Sequence, residues 1–502
     1  MDELGENLKI AYVKNLSKQN FNTVVSVPVD SNVNIKTILN VSSYLFDQKA
    51  ECANGKAVVT GKIGVKVFYL DTDGITNTLT DTQTFNETIL DSAITSNSFI
   101  NVLDVFVVNS VLSSDGVLKL SCDVSFSPVV YLNLNIAKPN TFENMIVKKD
   151  EVTTNTLCGE VDTSFEYNLN LETKNNITKI LCYNATFVLD SATPYDGYAV
   201  VEGKIYSKLI YECAQDSVSE IKELCDSFNV KSEVKIDGLD MDANLDLSVC
   251  VNPNKTNITT ESEDGNYEVN ISHDIRVCGV ITKRVVLEVV DDMYSTDNEL
   301  ELSRTNREFV DSCACENLNE VVGGEFSLSD GESAIDEVVS NLEITPEITN
   351  TYVKDDCLVL EGVVSSQVIY LDEFKEYKQK MVELPFVVNT KVKAETNEGV
   401  HSSICVCDSK VKAKRGTILE FEYSVNLSVC VYTKHSHDMI DNITIGKPLN
   451  LGMYDYQIYL AKPNETMWEL CKRIKISPDD ISKYNKSLPL VMEGGEKVII
   501  KR

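Results

Sequence analysis

Ala199-Val200-Val201-Glu202-Gly203-Lys204-Ile205-Tyr206-Ser207-Lys208-Leu209-Ile210-Tyr211 is the stretch on which the fold turns. Ala199, Val201, Ile205, Leu209 and Tyr211 recur at every second or fourth position, the period of a strand with one face buried. The same pattern returns at Ala57–Tyr69, around Gly61, and at Leu358–Tyr370, around Gly362. In all three, a Tyr follows the Gly by eight residues: Tyr69, Tyr211 and Tyr370. A Gly inside such a strand marks a bulge or a close approach of another group.

Further landmarks keep the same order around each Gly. Ile38-Leu39, Ile180-Leu181 and Val338-Val339 precede it by 23, 23 and 24 residues. Asp115-Gly116, Asp264-Gly265 and Arg415-Gly416 follow, their glycines 55, 62 and 54 residues on. Each of these pairs sits between alternating runs and reads as a hairpin turn, because Gly accepts the positive φ the turn needs. A recurring unit of this length is a domain and not a solenoid repeat. The expected fold is therefore mainly β, with three tandem sandwich-like or barrel-like repeats over residues 1–140, 141–295 and 296–440. Short helices are expected at Asp216–Leu224 and Ser333–Asn341, and a linker at 441–455.

The last segment, 456–502, has a different pattern. Tyr456-Gln457-Ile458-Tyr459-Leu460 reads as a strand. Thr466-Met467-Trp468-Glu469 is a capping box opening a helix through about Ile474, with Met467, Leu470, Cys471 and Ile474 on one face. Ser477-Pro478-Asp479-Asp480 opens a second helix, with Ile481 and Tyr484 apolar, and Lys497-Val498-Ile499-Ile500 closes as a strand. The result is a small α+β unit in the order β-α-α-β.

These residues resemble a LysM domain: Asn464-Glu465-Thr466-Met467-Trp468, Ser477-Pro478-Asp479-Asp480-Ile481, Tyr484-Asn485 and Gly494-Gly495-Glu496-Lys497-Val498-Ile499-Ile500. Asn464-Glu465 stand where that family has Gly-Asp, and Lys501 where it closes with Pro. The resemblance implies a groove between two loops, made of Asn464, Glu465, Thr466, Met467 and Trp468 on one side and Lys486, Ser487, Leu488, Pro489 and Leu490 on the other. The β-repeats are similar to the SPOCS domain, and the whole layout resembles the SipL/SpoVID-like family of spore-coat morphogenetic proteins. That resemblance implies a scaffold at the forespore surface, in the mother-cell cytoplasm. It would dock through its LysM domain onto a SpoIVA-like coat ATPase. The alternative is an envelope protein whose LysM groove takes peptidoglycan or a chitin-type glycan.

Charge bounds the partners. The net charge is −31, which opposes nucleic acid. From Tyr456 onward nine basic and six acidic side chains give +3, so the body, with 37 basic and 71 acidic, carries −34. Such asymmetry points to a separate partner for the tail. No apolar run is long enough for a membrane helix, and Met1–Glu6 lacks the layout of a secretory signal.

Fifteen cysteines, mostly in alternating apolar segments, fit small buried thiols in a reducing compartment. Cys313/Cys315 and Cys405/Cys407 have no second half for zinc, and His435-Ser436-His437-Asp438 is placed in a polar linker. No phosphate loop, zinc-protease motif or nucleophile elbow is present. Neither enzyme activity nor a cofactor is expected.

Overall fold

The computed structural model describes all residues except 1–4, 13–18, 29–33, 93, 97, 113–116, 138–144, 216–217, 264–265, 330, 394–398, 451–455 and 502. The expected turns at Asp115-Gly116 and Asp264-Gly265 lie outside the described residues. The architecture is mainly β. The first group of strands is β1 (Gly5–Tyr12), β2 (Gln19–Pro28), β3 (Ile35–Ala53), β4 (Lys56–Asp71), β5 (Thr76–Leu90), β6 (Phe99–Leu112) and β7 (Val117–Ala137). The second is β8 (Met145–Thr173), β9 (Ile177–Tyr195), β10 (Tyr198–Gln215), β11 (Val218–Lys235), β12 (Asn244–Val251), β13 (Asn257–Glu263) and β14 (Asn266–Ser295). The third is β15 (Asn298–Ser327), β16 (Ile335–Lys354), β17 (Cys357–Asp372), β18 (Tyr377–Lys393), β19 (Gly399–Lys414) and β20 (Ile418–Pro448).

The three repeated segments are the central strands β4, β10 and β17 of three antiparallel sheets, β3-β4-β5, β9-β10-β11 and β16-β17-β18. The repeated Gly answers a close approach. A Cβ on Gly61 would lie 2.8 Å from the Phe85 ring, on Gly203 2.7 Å from Phe187, and on Gly362 2.4 Å from Phe386. An aromatic ring thus covers the bare backbone in each copy.

Each sheet packs on an opposing layer to make a sandwich with its own core. That layer is one eight-stranded sheet, β12-β14-β8-β1-β7-β2 with β13 and β6, for the first two copies and β15-β20-β19 for the third. In the first, Val59, Ile63 and Val65 of β4 meet Val25 of β2 and Leu118 and Leu120 of β7. In the second, Val201, Ile205 and Leu209 of β10 meet Val269, Ile271 and Ile275 of β14. In the third, Leu360, Val364 and Val368 of β17 meet Leu419, Tyr423 and Leu427 of β20. The strict inward–outward alternation of β18 is the pattern that burial of one sheet face demands.

The sandwiches are not beads on a string. Leu39 and Phe68 of the first, Leu181, Cys182 and Ile210 of the second, and Leu342 and Ile369 of the third form one shared buried cluster. Phe68, Ile210 and Ile369 each follow the repeated Gly by seven residues. Polar contacts join every pair of sandwiches. The Thr76 hydroxyl donates to Glu212 at 2.6 Å, the Ile221 N–H to the Tyr377 hydroxyl at 3.2 Å, and the Val41 N–H to Gln367 at 3.4 Å.

Strands β8 and β14 stay paired from Thr173–Tyr267 to Met145–Ser295, well beyond the reach of β12. The β15–β20 pair runs out in the same way. The two ribbons pack through Val152, Leu287 and Val289 against Phe309 and Met439.

Three expectations are corrected. Residues 218–224 and 335–341 are strand and not helix, because each pairs with the central strand beside it, Val218–Leu224 with Leu209–Gln215 and Ile335–Asn341 with Val368–Asp372. Tertiary pairing here overrides local propensity. His435–Asp438 sit in β20 opposite Asn306–Phe309, and β20 continues through 441–448 of the expected linker. Residues 451–455 of that linker lie outside the described residues. At the third turn Arg415 and Gly416 both take positive φ, 56° and 69°, as a tight hairpin requires.

The C-terminal module consists of β21 (Tyr456–Leu460), α1 (Met467–Ile474), α2 (Pro478–Tyr484) and β22 (Lys497–Lys501), with β21 and β22 antiparallel. Thr466 and Glu469 close a capping box on α1, and Ser477 caps α2 ahead of Pro478. Each cap contributes about 1 kcal/mol. Leu470, Cys471, Ile474, Ile481, Met492, Val498 and Ile500 form the core. That core is completed by Tyr294 of β14, with Ile146 of β8 packed beside it.

Candidate functional site

The two loops of the expected groove meet. Thr466 and Val491 form an antiparallel bridge. The Met467 N–H donates to the Leu490 carbonyl at 2.9 Å, the Asn464 N–H to Met492 at 2.9 Å, and the Met492 N–H to Glu465 at 2.8 Å. Asn464 supplies the left-handed turn, φ 60°, that a Gly would otherwise give, and Asn tolerates that conformation better than most residues. Lys486, Ser487, Pro489 and Leu490 are exposed, and Leu490 is 82% so. Leu488 and Met467 turn partly inward onto the module's core.

Glu465 is no ligand-facing group. It is buried, its carboxylate takes Arg473 Nε at 2.6 Å and Nη2 at 2.9 Å, and it also accepts from the Lys462 N–H at 2.8 Å. The Arg473 guanidinium holds its carboxyl below the usual glutamate range, against the opposing effect of burial. Glu465 therefore fixes the shape of the first loop.

Trp468 is half-buried and packs against the module's core beside Tyr294. Its ring meets Tyr294 edge-on at 5.2 Å, and its indole N–H donates to Asp292 Oδ2 at 2.8 Å. Lys472, one turn on, places its ammonium 2.8 Å and 2.7 Å from the two oxygens of Asp292. Arg304 adds a contact at 3.1 Å. Lys475 lies over the Tyr294 ring at 5.8 Å, and the Tyr294 hydroxyl donates to the Ile476 carbonyl at 2.6 Å. Burial pushes the Asp292 carboxyl up, but the hydrogen bonds from Lys472 and Trp468 outweigh it and leave the group below the ordinary aspartate range.

Local structure explains why Asp292 reaches the module. The pairing of β14 with β8 slips by one residue between Val290 and Asp292, a bulge that re-aims the side chain. Asp292 and Tyr294 then stand on one face of the strand. On the helix side the signal was Trp468 and Lys472 at i and i+4 on the flank of the apolar stripe, with Lys475 at the left-handed C-cap of α1. On the scaffold side Asp292 had no distinguishing mark among 77 acidic residues.

A second polar region lies where the sandwiches meet, a cavity of about 830 Å³ lined by Lys66, Tyr183, Lys208, Asn341 and Glu343 among others. Glu343, with φ 46°, accepts from Asn40 of the first sandwich at 3.4 Å and Asn184 of the second at 3.3 Å. Beside it His273 is buried and held neutral, pushed down to about 4 by burial, with its Nε2 2.9 Å from the Tyr183 hydroxyl. These groups tie strands together.

Among the described residues no three His, Cys, Asp or Glu gather as a metal site would require. His435 stacks on Phe309 at 5.7 Å. Cys407 is the unpaired residue at a register slip in β19, between Val406 and Asp408, and Cys405 stays paired with Asn426. Of the described cysteines twelve are free thiols, but only Cys122, Cys182, Cys213 and Cys471 are buried and Cys430 is disulfide-bonded, so the expected set of buried thiols is met only in part. No described helix is long and apolar enough to cross a membrane. Compared with known proteins, the chain matches no family model, no curated protein and no solved structure.

Proposed function

We propose that this chain is a non-catalytic scaffold of spore-coat assembly, working in the mother-cell cytoplasm at the forespore surface and docking through its LysM-like C-terminal module onto a SpoIVA-like coat ATPase. The reading rests on the sequence resemblance. One structural observation supports it best: a mildly basic module with a formed two-loop edge is mounted on three packed, strongly acidic β-sandwiches. Such a module offers contact area and charge contrast without needing chemistry of its own. The test is capture of the purified ATPase by the full chain and by a chain ending at residue 455. Capture is expected only with the full chain. Equal capture by the shortened chain rejects the reading.

The joined loops favour a second reading, binding of peptidoglycan-type glycan. Asn464 takes the left-handed turn that a Gly would give, and Pro489 and Leu490 leave the facing edge open. Co-sedimentation with purified cell wall, lost when the exposed Pro489 and Leu490 are replaced by alanine in a module that still folds, would favour this reading over the first.

A further inference from the structure

We infer that the α1 face of the C-terminal module has two alternative occupants, β14 of the same chain and the module's partner, with Asp292 as the latch between them. The inference concerns regulation and rests on the docking function proposed above. Trp468, Lys472 and Lys475 form one aromatic and basic stripe, and all three are engaged by only two residues of β14, Asp292 and Tyr294.

The seam is of a kind that can open. Lys472 and Arg304 are each more than a third exposed, so water and salt reach the ion pairs. Apart from Tyr294 and Ile146, the buried and packed residues of this cluster all belong to the module. Undocking breaks no cap, helix or β21–β22 hydrogen bond, and its cost is the uncovering of the core face that Tyr294 closes. It would free Trp468, whereas Pro489 and Leu490 on the second loop are exposed already.

The docked strand also describes what can replace it. Asp292-Met293-Tyr294 offers a carboxylate and, two residues later on the same strand face, an aromatic ring. The partner surface that fits the released stripe is an extended segment with a carboxylate two positions before an aromatic side chain. Its carboxylate would take Lys472 and the indole N–H, and its ring the edge of Trp468. A like-charged segment would be repelled by Lys472 and Lys475.

Trp468 is the chain's only tryptophan, so its fluorescence reads the seam alone. Acrylamide quenching is measured on the full chain, on Asp292→Ala and on Lys472→Glu, with circular dichroism to verify the fold. Quenching is expected to be weak in the parent at low salt, to strengthen with sodium chloride, and to be strong in both variants. The same quenching in all three proteins overturns the latch. Affinity for the purified ATPase is then compared between the parent and Asp292→Ala, which lies outside the module. A gain of about fivefold or more is expected, the low end of ordinary coupling between sites. Stronger quenching with unchanged affinity overturns the competition. Absence of binding by both proteins rejects the docking function instead, and the quenching series still decides the latch.

Discussion

Glu465 shows how much one side chain can hold. The carboxylate is nearly sealed, bound twice by Arg473 and once by the Lys462 N–H, and its backbone ties the first loop to Met492. Glu465→Ala leaves that guanidinium and that amide without their acceptor. It is expected to cost the module about 2–3 kcal/mol, seen as an earlier melt of the Trp468 signal while the bulk β signal is kept. The pH response follows in sign. Arg473 depresses the folded pKa, so the contribution is fully present above the ordinary glutamate value of about 4.3 and is lost as pH falls through the lower folded value. A melt of the module that is unchanged between pH 7 and pH 3 contradicts this.

At the scale of elements, the repeated Gly carries the clearest prediction. Gly203→Ala would set a Cβ 2.3 Å from the Val188 carbonyl oxygen, which belongs to the neighbouring backbone and cannot swing aside. The expected loss is about 1–3 kcal/mol by urea unfolding, the usual range for overpacking. Gly197 is the control: its φ of 83° makes Ala strained, yet nothing lies within 4 Å, so the loss there would come from backbone conformation alone.

This contrast also explains what the sequence made legible. Gly203 and its counterparts stood out because the ring over each backbone imposes the same local requirement three times. Thr466, Glu469, Ser477 and Pro478 announced the two helices because caps are local devices. Val218–Leu224 and Ile335–Asn341 were misread because their strand state comes from pairing with β10 and β17, and nothing local specifies it. The docking of the module was hidden for the same reason: Asp292 acts only through a bulge in a distant strand.

At the scale of the molecule, the shared cluster decides how the chain unfolds. Phe68 is 1% exposed, and Ile210 and Ile369 are wholly buried against it. Phe68→Ala is expected to cost about 3–4 kcal/mol, and to raise hydrogen exchange in β10 and β17 as well as in its own strand β4. Faster exchange confined to 56–71 would show that the sandwiches unfold separately.

The first sandwich touches the second through Thr76 and Glu212, the second touches the third through Ile221 and Tyr377, and the third returns to the first through Gln367 and Val41. The repetition therefore closes into a ring. A linear array can gain or lose a unit at its ends, but a closed set of three has no terminal face to extend. Its copy number is part of its geometry. Removing one unit would expose the apolar faces that both others bury in the shared cluster.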